Sequence, residues 1–117
     1  MSVDNRLVIA GCVASAGKTR YSPGGLPITR FVLEHHSKQT EVGIVRDVRC
    51  RILVFIGGEV LHRKIQALTP GMPVRVHGFI SRANHRQGAA RLVLHAEGIE
   101  TLDSLELNSL ANSLATD

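Results

Sequence analysis

The amino-acid sequence predicts a small, mostly β protein with one short helix. Apolar and polar residues alternate with a period of two along several segments, which is the pattern of half-buried strands. In the body of the chain, one segment instead places Leu61, Ile65 and Leu68 at helical spacing. The chain has 117 residues, of which 44% are hydrophobic. It is therefore long enough for a single domain with a modest core.

The first two predicted strands are separated by a basic loop. Leu7–Val13 forms the first strand, with Gly11 as a candidate bulge where a barrel strand bends. The breakers of residues 22–25 then precede a second strand at residues 28–36. The loop between the two strands carries Lys18, Arg20 and Tyr21.

A polar connection, residues 37–43, leads to a long third strand at residues 44–56. Gly57 and Gly58 end this strand, and the short amphipathic helix follows until Pro70 and Gly71 stop it. One face of the third strand is predicted to be inner and the other solvated and basic. The inner set is Val48, Cys50 and Ile52, and the solvated set is Asp47, Arg49 and Arg51.

The last two strands form a hairpin between residues 74 and 97. Its first strand alternates Val74, Val76, Gly78 and Ile80 with Arg75, His77, Phe79 and Ser81. Its second strand alternates Leu92, Leu94 and Ala96 with Val93, His95 and Glu97. The connection carries Arg82, His85, Arg86 and Arg91 with almost no carboxylate, so it is suited to bind an anion such as phosphate.

Five strands with one helix between the third and the fourth is the order of an OB-fold, a small Greek-key barrel. We assign this domain to residues 1–101 and an acidic C-terminal tail to residues 102–117. The tail is either a weak helix against a partner or a frayed terminus.

The charge distribution favours a polyanionic partner. Residues 1–101 hold all 14 Lys and Arg and seven of the 10 carboxylates, a net charge of +7, whereas the tail carries −3. No segment has the length of a membrane span or the pattern of a signal peptide, so we expect a cytoplasmic protein without a membrane role. Cys12 and Cys50 are expected to be reduced, buried thiols.

Several catalytic or metal-binding interpretations fail on the residues. Gly17-Lys18-Thr19 lacks the earlier glycine of a phosphate loop, because position 12 is a cysteine. The six histidines have no Cys or carboxylate at ligand spacing. We find no nucleophile motif and no convincing carboxylate pair. The prediction is therefore a binding protein, not an enzyme, without a cofactor or a metal.

The basic residues fall on the regions that an OB-fold uses for nucleic acid. Phe31 and Phe55 have apolar neighbours and are expected in the core. The aromatic rings left as candidate platforms for stacked bases are those of Tyr21 and Phe79. The candidate DNA-binding set is Lys18, Arg20, Tyr21, His36, Arg49, Arg51, Phe79, Arg82, Arg86 and Arg91.

Five segments in order resemble the primosomal replication protein N (PriB) family over about residues 5–100. They are Asn5-Arg6-Leu7-Val8, Ser22-Pro23 with Gly25-Leu26-Pro27, Phe31-Val32-Leu33-Glu34-His35, Gly78-Phe79-Ile80-Ser81 and Leu92-Val93-Leu94-His95-Ala96-Glu97. The resemblance implies a homodimeric OB-fold that binds single-stranded DNA at the replication fork. It also implies that the protein assists the PriA helicase and helps to recruit DnaT in replication restart.

The resemblance also implies DNA contacts at Arg20, His36, Arg86 and Arg91. Arg49 and Ile44 stand where the family can have aromatic residues, and Asn84 replaces a lysine. Two alternatives to a DNA-binding protein stay open at this point. One is an adaptor that mainly binds and stimulates the helicase, and the other is an RNA-binding OB-fold.

Overall fold

The computed structural model describes residues 3–83 and 91–103. These residues form strands and one helix, in the order β1 Leu7–Val13, β2 Lys18–Tyr21, β3 Pro27–Glu41, β4 Ile44–Gly57, α1 Glu59–Gln66, β5 Pro73–Ala83 and β6 Arg91–Thr101. A single sheet runs β1-β5-β6-β4-β3-β2, and β1 also pairs with β3. This extra pairing closes five of the strands into a barrel, with β2 added outside β3, and it confirms the predicted OB-fold.

The pairing of β4 with β6 is parallel, whereas the other strand pairs of the described sheet are antiparallel. Helix α1 lies between β4 and β5 in the chain, where the sequence places it. Leu61 and Ile65 belong to the helix and face the core. Leu68 lies beyond the last helical residue, and its N–H donates to the carbonyl of Ile65 at 2.9 Å.

The barrel core is built from residues of period two, as the alternation predicts. Leu33, Val54, Val74, Val76 and Leu94 have no exposed surface. Phe31 is also buried, as expected. The pattern is incomplete in β6, where both Val93 and Leu94 are buried and Leu92 is exposed.

The polar connection predicted at residues 37–43 is wrong. β3 runs to Glu41, and β3 and β4 pair without interruption from Ile28↔Gly57 to Glu41↔Ile44. Val42 and Gly43 form the turn, with φ angles of 52° and 75°, which are the left-handed values that a tight hairpin of this kind needs. Residues 39–47 at this end of the hairpin are exposed, so no buried face requires apolar residues at alternate positions. Their polar composition therefore resembles that of a loop, although the residues form paired strands.

Two smaller predictions also need correction. The basic loop is in fact the short strand β2, which pairs with β3 from Lys18↔Arg30 to Tyr21↔Pro27. Cys50 is exposed and Cys12 only partly buried, although both are free thiols. Cys50 lies on the exposed part of β4, where the strand has no apolar layer to pack against.

Two glycines allow backbones to approach closely in the barrel. A Cβ at Gly78 would lie 1.8 Å from the carbonyl oxygen of His95, and one at Gly11 would lie 2.2 Å from that of Glu34. The β-bulge lies between His77 and Gly78, and not at Gly11, where β1 keeps its register with β5. Gly78 therefore brings β5 against β6 at the position where the ring of His95 is held.

Beyond the predicted domain boundary, Leu102 is buried and its N–H donates to the carbonyl of Pro73 at 2.9 Å. The ordered body thus includes at least this residue. Arg82 and Arg91, predicted in the connection of the last hairpin, belong to β5 and β6, because the two strands pair as far as Ala83 and Arg91. Residues 84–90 of that connection and residues 104–117 of the predicted acidic tail lie outside the described residues. The domain and tail assignments stay predictions.

Candidate functional site

A groove of about 600 Å³ runs over the outer face of the sheet beside β2. Cationic, aliphatic and aromatic side chains share it. It is lined by Lys18, Thr19, Arg20, Leu26, Ile28, Arg30, Phe55, Ile56, Gly57, Phe79, His95 and Ala96. These residues come from β2, β3, β4, β5, β6 and the segment that precedes β3, so the barrel itself positions them.

The strand register aligns five of the lining residues in one row across the sheet. Phe79 pairs with His95, His95 with Phe55, Phe55 with Arg30, and Arg30 with Lys18. Directly paired residues point to the same face of a sheet. We call this set the cross-strand row. It is aromatic at the β5 end and cationic at the β2 end.

The aromatic half of the row is a contiguous ring cluster. The rings of Phe79 and His95 stack, with centroids 4.9 Å apart and an angle of 13° between their planes. The ring of Phe55 meets His95 edge-on, with centroids 5.8 Å apart. The hydroxyl of Ser81 lies 2.6 Å from Nε2 of His95 and fixes the orientation of the imidazole. Phe79 is 40% exposed and the other two rings are partly buried, and an accessible ring of this kind is suited to stack on planar ligands such as nucleobases.

The cationic half of the groove consists of Lys18, Arg20 and Arg30. Within residues 3–83 and 91–103, none of the three forms an ion pair. All three side chains are exposed on the outer face, because Lys18 and Arg20 occupy alternate positions of β2. Cations that have no ion pair among the described residues, next to partly exposed rings, give this groove a chemistry suited to an anion that also carries planar groups.

A chain of hydrogen bonds attaches β2 to the barrel and to α1. The hydroxyl groups of Thr19 and Thr29 are 2.8 Å apart, and that of Thr29 is 3.1 Å from Nδ1 of the buried His62. On its other side, Nε2 of His62 lies 3.1 Å from the amide nitrogen of Gln66. Because Thr19 lies between Lys18 and Arg20, these bonds hold the cationic side of the groove in place.

Of the residues predicted from the sequence, Lys18, Arg20 and Phe79 line the groove. Tyr21 does not, because it alternates with Arg20 on β2 and pairs with Pro27. Arg91 pairs with Ala83 and lies on the same face of the hairpin as Phe79, whereas Arg82 alternates to the opposite face. Arg86 lies outside the described residues.

The other predicted cations lie farther along the same face of β3 and β4, toward the turn of the hairpin. His36 pairs with Arg49 in the register, and Glu34 pairs with Arg51. Arg51 donates to the carboxylate of Glu34 at 3.1 Å. Unlike the cations of the groove, this arginine is partly compensated.

His36 and Arg49 are compensated by Asp47. Nε2 of His36 lies 2.6 Å from one carboxylate oxygen, and Nε of Arg49 donates to the other at 3.2 Å. These two hydrogen bonds lower the pKa of Asp47 from 3.8 to about 2. The carboxylate therefore stays ionised at neutral pH and offsets the positive charge of this part of the hairpin.

Sequence reasoning missed Arg30, Phe55 and His95. The apolar neighbours of Phe55 predict a core position, yet Phe55 lines the groove and only Val54 and Ile56 beside it are buried. Alternation along β3 would also have placed Arg30 on the face opposite the buried Phe31. The partnership of His95 with Phe55 needs the parallel β4–β6 pairing, which no local pattern reveals.

The described residues contain no group of three or more His, Cys, Asp or Glu side chains that could hold a metal ion. In residues 3–83 and 91–103, no helix has the length and apolar character needed to cross a membrane.

Comparison with known proteins decides the family. A family model described as another single-strand binding protein family matches residues 5–98. Replication restart protein PriB of Serratia proteamaculans is 44% identical over 100 residues, which cover 86% of this chain and 95% of the relative. The chain belongs to the PriB family. The resemblance drawn from the five sequence segments is thus confirmed, as is the prediction of a binding protein and not an enzyme.

Solved structures agree with this assignment. A PriB structure from Ralstonia solanacearum superposes with a TM-score of 0.73 at 25% identity, covering 86% of this chain and all of that one. A Plasmodium falciparum SSB, solved in complex with ssDNA, gives 0.73 at 14% identity and covers 88% of this chain and 98% of its own. At 14% identity, the second structure supports only the fold of this PriB-family chain.

Proposed function

We propose that this protein binds single-stranded DNA in replication restart, and that the groove is its DNA-binding site. The cross-strand row carries this proposal, because it combines cations that have no ion pair among the described residues with partly exposed rings on one face of an OB-fold. A single strand offers phosphates and unstacked bases together, whereas the bases of a duplex are covered. Arg91 extends the positive charge along β6 beyond the groove.

The cations and the rings lie on opposite sides of the groove, and this arrangement suggests how single-stranded DNA lies in it. Phosphates contact Lys18, Arg20 and Arg30 on the β2 side, and bases stack against Phe55 and Phe79 on the β5 side. Each stacked base contributes about 1–3 kcal/mol, independent of its identity. The phosphate contacts add a contribution that depends on salt and not on sequence. We therefore expect binding with little sequence preference.

The salt dependence of binding tests this proposal. With four phosphate contacts, from Lys18, Arg20, Arg30 and Arg91, affinity for oligo(dT) is expected to fall roughly 50-fold between about 50 and 200 mM salt. Fluorescence anisotropy of a labelled oligonucleotide measures it. A double-stranded oligonucleotide of the same length is the control. A flat salt response, or equal affinity for the duplex, would contradict the proposal.

Substitution of Phe79 by leucine tests the stacking half of the groove. Losing one ring platform is expected to weaken oligo(dT) binding by about 1–3 kcal/mol while leaving the salt slope unchanged. Tyr21→Leu is the matched comparison, since it removes an exposed ring on the other face of β2. If Phe79→Leu and Tyr21→Leu lose the same affinity for oligo(dT), stacking on a ring in the groove is not what binds the bases.

The partners implied by the family resemblance are proposed with this function. The protein acts as a homodimer in the cytoplasm, at the nucleoid and the replication fork, where it assists the PriA helicase and recruits DnaT. The candidate cations that are described and do not line the groove, including His36 and Arg82, are proposed as additional contacts to DNA or to these proteins, and Arg86 is proposed as a further one.

The end of the β3–β4 hairpin favours a second function, that of a protein adaptor. Its cations are compensated by Asp47 and Glu34, and its exposed residues include Ile44 and Val45. Such a mixed surface suits a protein partner better than a polyanion. If this function dominates, helicase binding persists at concentrations where oligonucleotide binding is undetectable. Competition between oligo(dT) and PriA for the purified protein distinguishes one shared surface from two.

A further inference from the structure

The outer face that carries the groove continues along β3 and β4 to the turn of their hairpin. Paired residues follow one another on this face at intervals of two positions, about 7 Å along the strands. After Arg30 with Phe55, the pairs are Val32 with Leu53, Glu34 with Arg51, His36 with Arg49 and Lys38 with Asp47. Single-stranded DNA that leaves the groove therefore has a path along the hairpin.

The first pair on this path offers no charge to a phosphate, because Val32 and Leu53 are apolar and partly buried. A second path leads out of the groove along β6. Arg91 lies on this strand, on the same face as His95, and it forms no ion pair with another described residue. The two paths thus differ in whether a cation is available.

The permanent cations farther along the hairpin face are held by carboxylates. Nη2 of Arg51 donates to Glu34 at 3.1 Å, and Nε of Arg49 donates to Asp47 at 3.2 Å. Nζ of Lys38 lies 3.6 Å from the other oxygen of Asp47. Together these three cations and two carboxylates carry a net charge of only +1. A phosphate has to displace a carboxylate to bind here, and the carboxylates repel it.

Screening by salt confines the effect of these carboxylates to the hairpin. At about 0.15 M salt the Debye length is about 8 Å, so exposed charges that are farther apart interact only weakly. Asp47 lies eight residues along β4 from Phe55, about 27 Å, and Glu34 lies four residues along β3 from Arg30, about 13 Å. They therefore act on DNA that runs over the hairpin and not on DNA that stays in the groove.

We propose that Glu34 and Asp47 limit the DNA-binding site to the groove and its extension at Arg91, by keeping single-stranded DNA off the β3–β4 hairpin. This inference rests on the proposed function, because it takes the groove as the place where DNA binds. It goes further by giving two acidic residues a role in the length and direction of the bound strand. Of the two kinds of contact proposed for His36, it favours the contact with a protein partner.

The double substitution Glu34→Gln and Asp47→Asn tests the inference in the full chain, because it leaves Lys38, Arg49 and Arg51 available to phosphates. For oligo(dT) of about 20 nucleotides, the salt slope is expected to steepen by about 2, at about 0.7 for each new contact. Binding near 0.1 M salt is expected to become about ten- to 100-fold tighter. An oligo(dT) of about six nucleotides, near the lower end for one OB-fold, is expected to bind as to the wild type. Fluorescence anisotropy measures both.

Glu41→Gln with Glu100→Gln is the matched control, since it makes the same change in net charge and also releases two arginines. Glu41 forms an ion pair with Arg46 on the opposite face of the hairpin. Glu100 forms one with Arg75, and it lies five residues along β6 from His95, about 16 Å away. We expect this variant to bind both oligonucleotides with nearly the affinity and salt slope of the wild type.

A second measurement follows the side-chain Nε–H signals of the wild-type protein by NMR while the longer oligo(dT) is added. The signal of Arg30 is expected to shift, and those of Arg49 and Arg51 are expected to stay in place. Comparable shifts of all three overturn the inference. So does a wild-type salt slope in Glu34→Gln with Asp47→Asn, or an equal gain in the control. If neither oligonucleotide binds the wild type, the proposed function itself fails.

Discussion

Replacing Lys18, Arg20 and Arg30 together with glutamine is expected to weaken binding to oligo(dT) about 100-fold at roughly 0.1 M salt. These three cations line one groove and have no ion-pair partner among the described residues. Each lost phosphate contact lowers the log–log salt slope by about 0.7, so the slope is expected to fall by about 2. Anisotropy titrations over a range of salt concentrations measure both quantities.

A control with the same change in net charge separates the groove from the overall field of the protein. Arg6, Arg63 and Lys64 are exposed, do not line the groove and can be replaced by glutamine together. We expect this variant to bind with a small loss and an almost unchanged slope. If the two triple variants lose affinity equally, binding depends on net charge and the groove is not the site.

Substitution of Gly78 by valine is expected to destabilise the fold by about 3 kcal/mol or more, at the upper end of the range for overpacking. Even the first side-chain atom would lie 1.8 Å from the carbonyl oxygen of His95. Because that oxygen belongs to the backbone of β6, it cannot move aside as the end of a flexible side chain would. Urea denaturation followed by circular dichroism gives the free energy of unfolding.

Gly24→Ala is the matched control for this substitution. Gly24 lies in the turn between β2 and β3, where the nearest atom to an added Cβ is the Ser22 hydroxyl at 3.9 Å. Its effect on the free energy of unfolding is expected to stay within about 0.5 kcal/mol. A Gly78→Val protein as stable as the wild type would mean that β5 and β6 separate at the bulge more easily than their close approach implies.

The fold could be predicted from the sequence because most of its strands carry a buried face. Val74 and Val76 alternate with Arg75 and His77, and most strand segments that lie against the core show such alternation, with β6 as the exception. The prediction failed where the strands leave the barrel. Residues 39–41 are paired but exposed, so nothing in their composition distinguishes them from a loop.

The candidate site was predictable only in part, for a related reason. Lys18, Arg20 and Phe79 stand out in the sequence as exposed cations and an outer ring. Phe55 and His95 do not, because their role comes from strands that are far apart in the chain and meet in parallel. Local periodicity gives the face of a residue, but only the order of strands in the sheet gives its neighbours across that face.

The parallel pairing of β4 with β6 has a consequence for how the site and the barrel depend on each other. Three residue pairs make this seam, Leu53 with Val93, Val54 with Leu94 and Phe55 with His95. Phe55 and His95 also line the groove, so single-stranded DNA bound there would contact both β4 and β6 where these two strands pair. Separation of β4 from β6 would disrupt the binding site. Conversely, DNA bound at the site would stabilise the closed barrel, because it binds only when the two strands are paired.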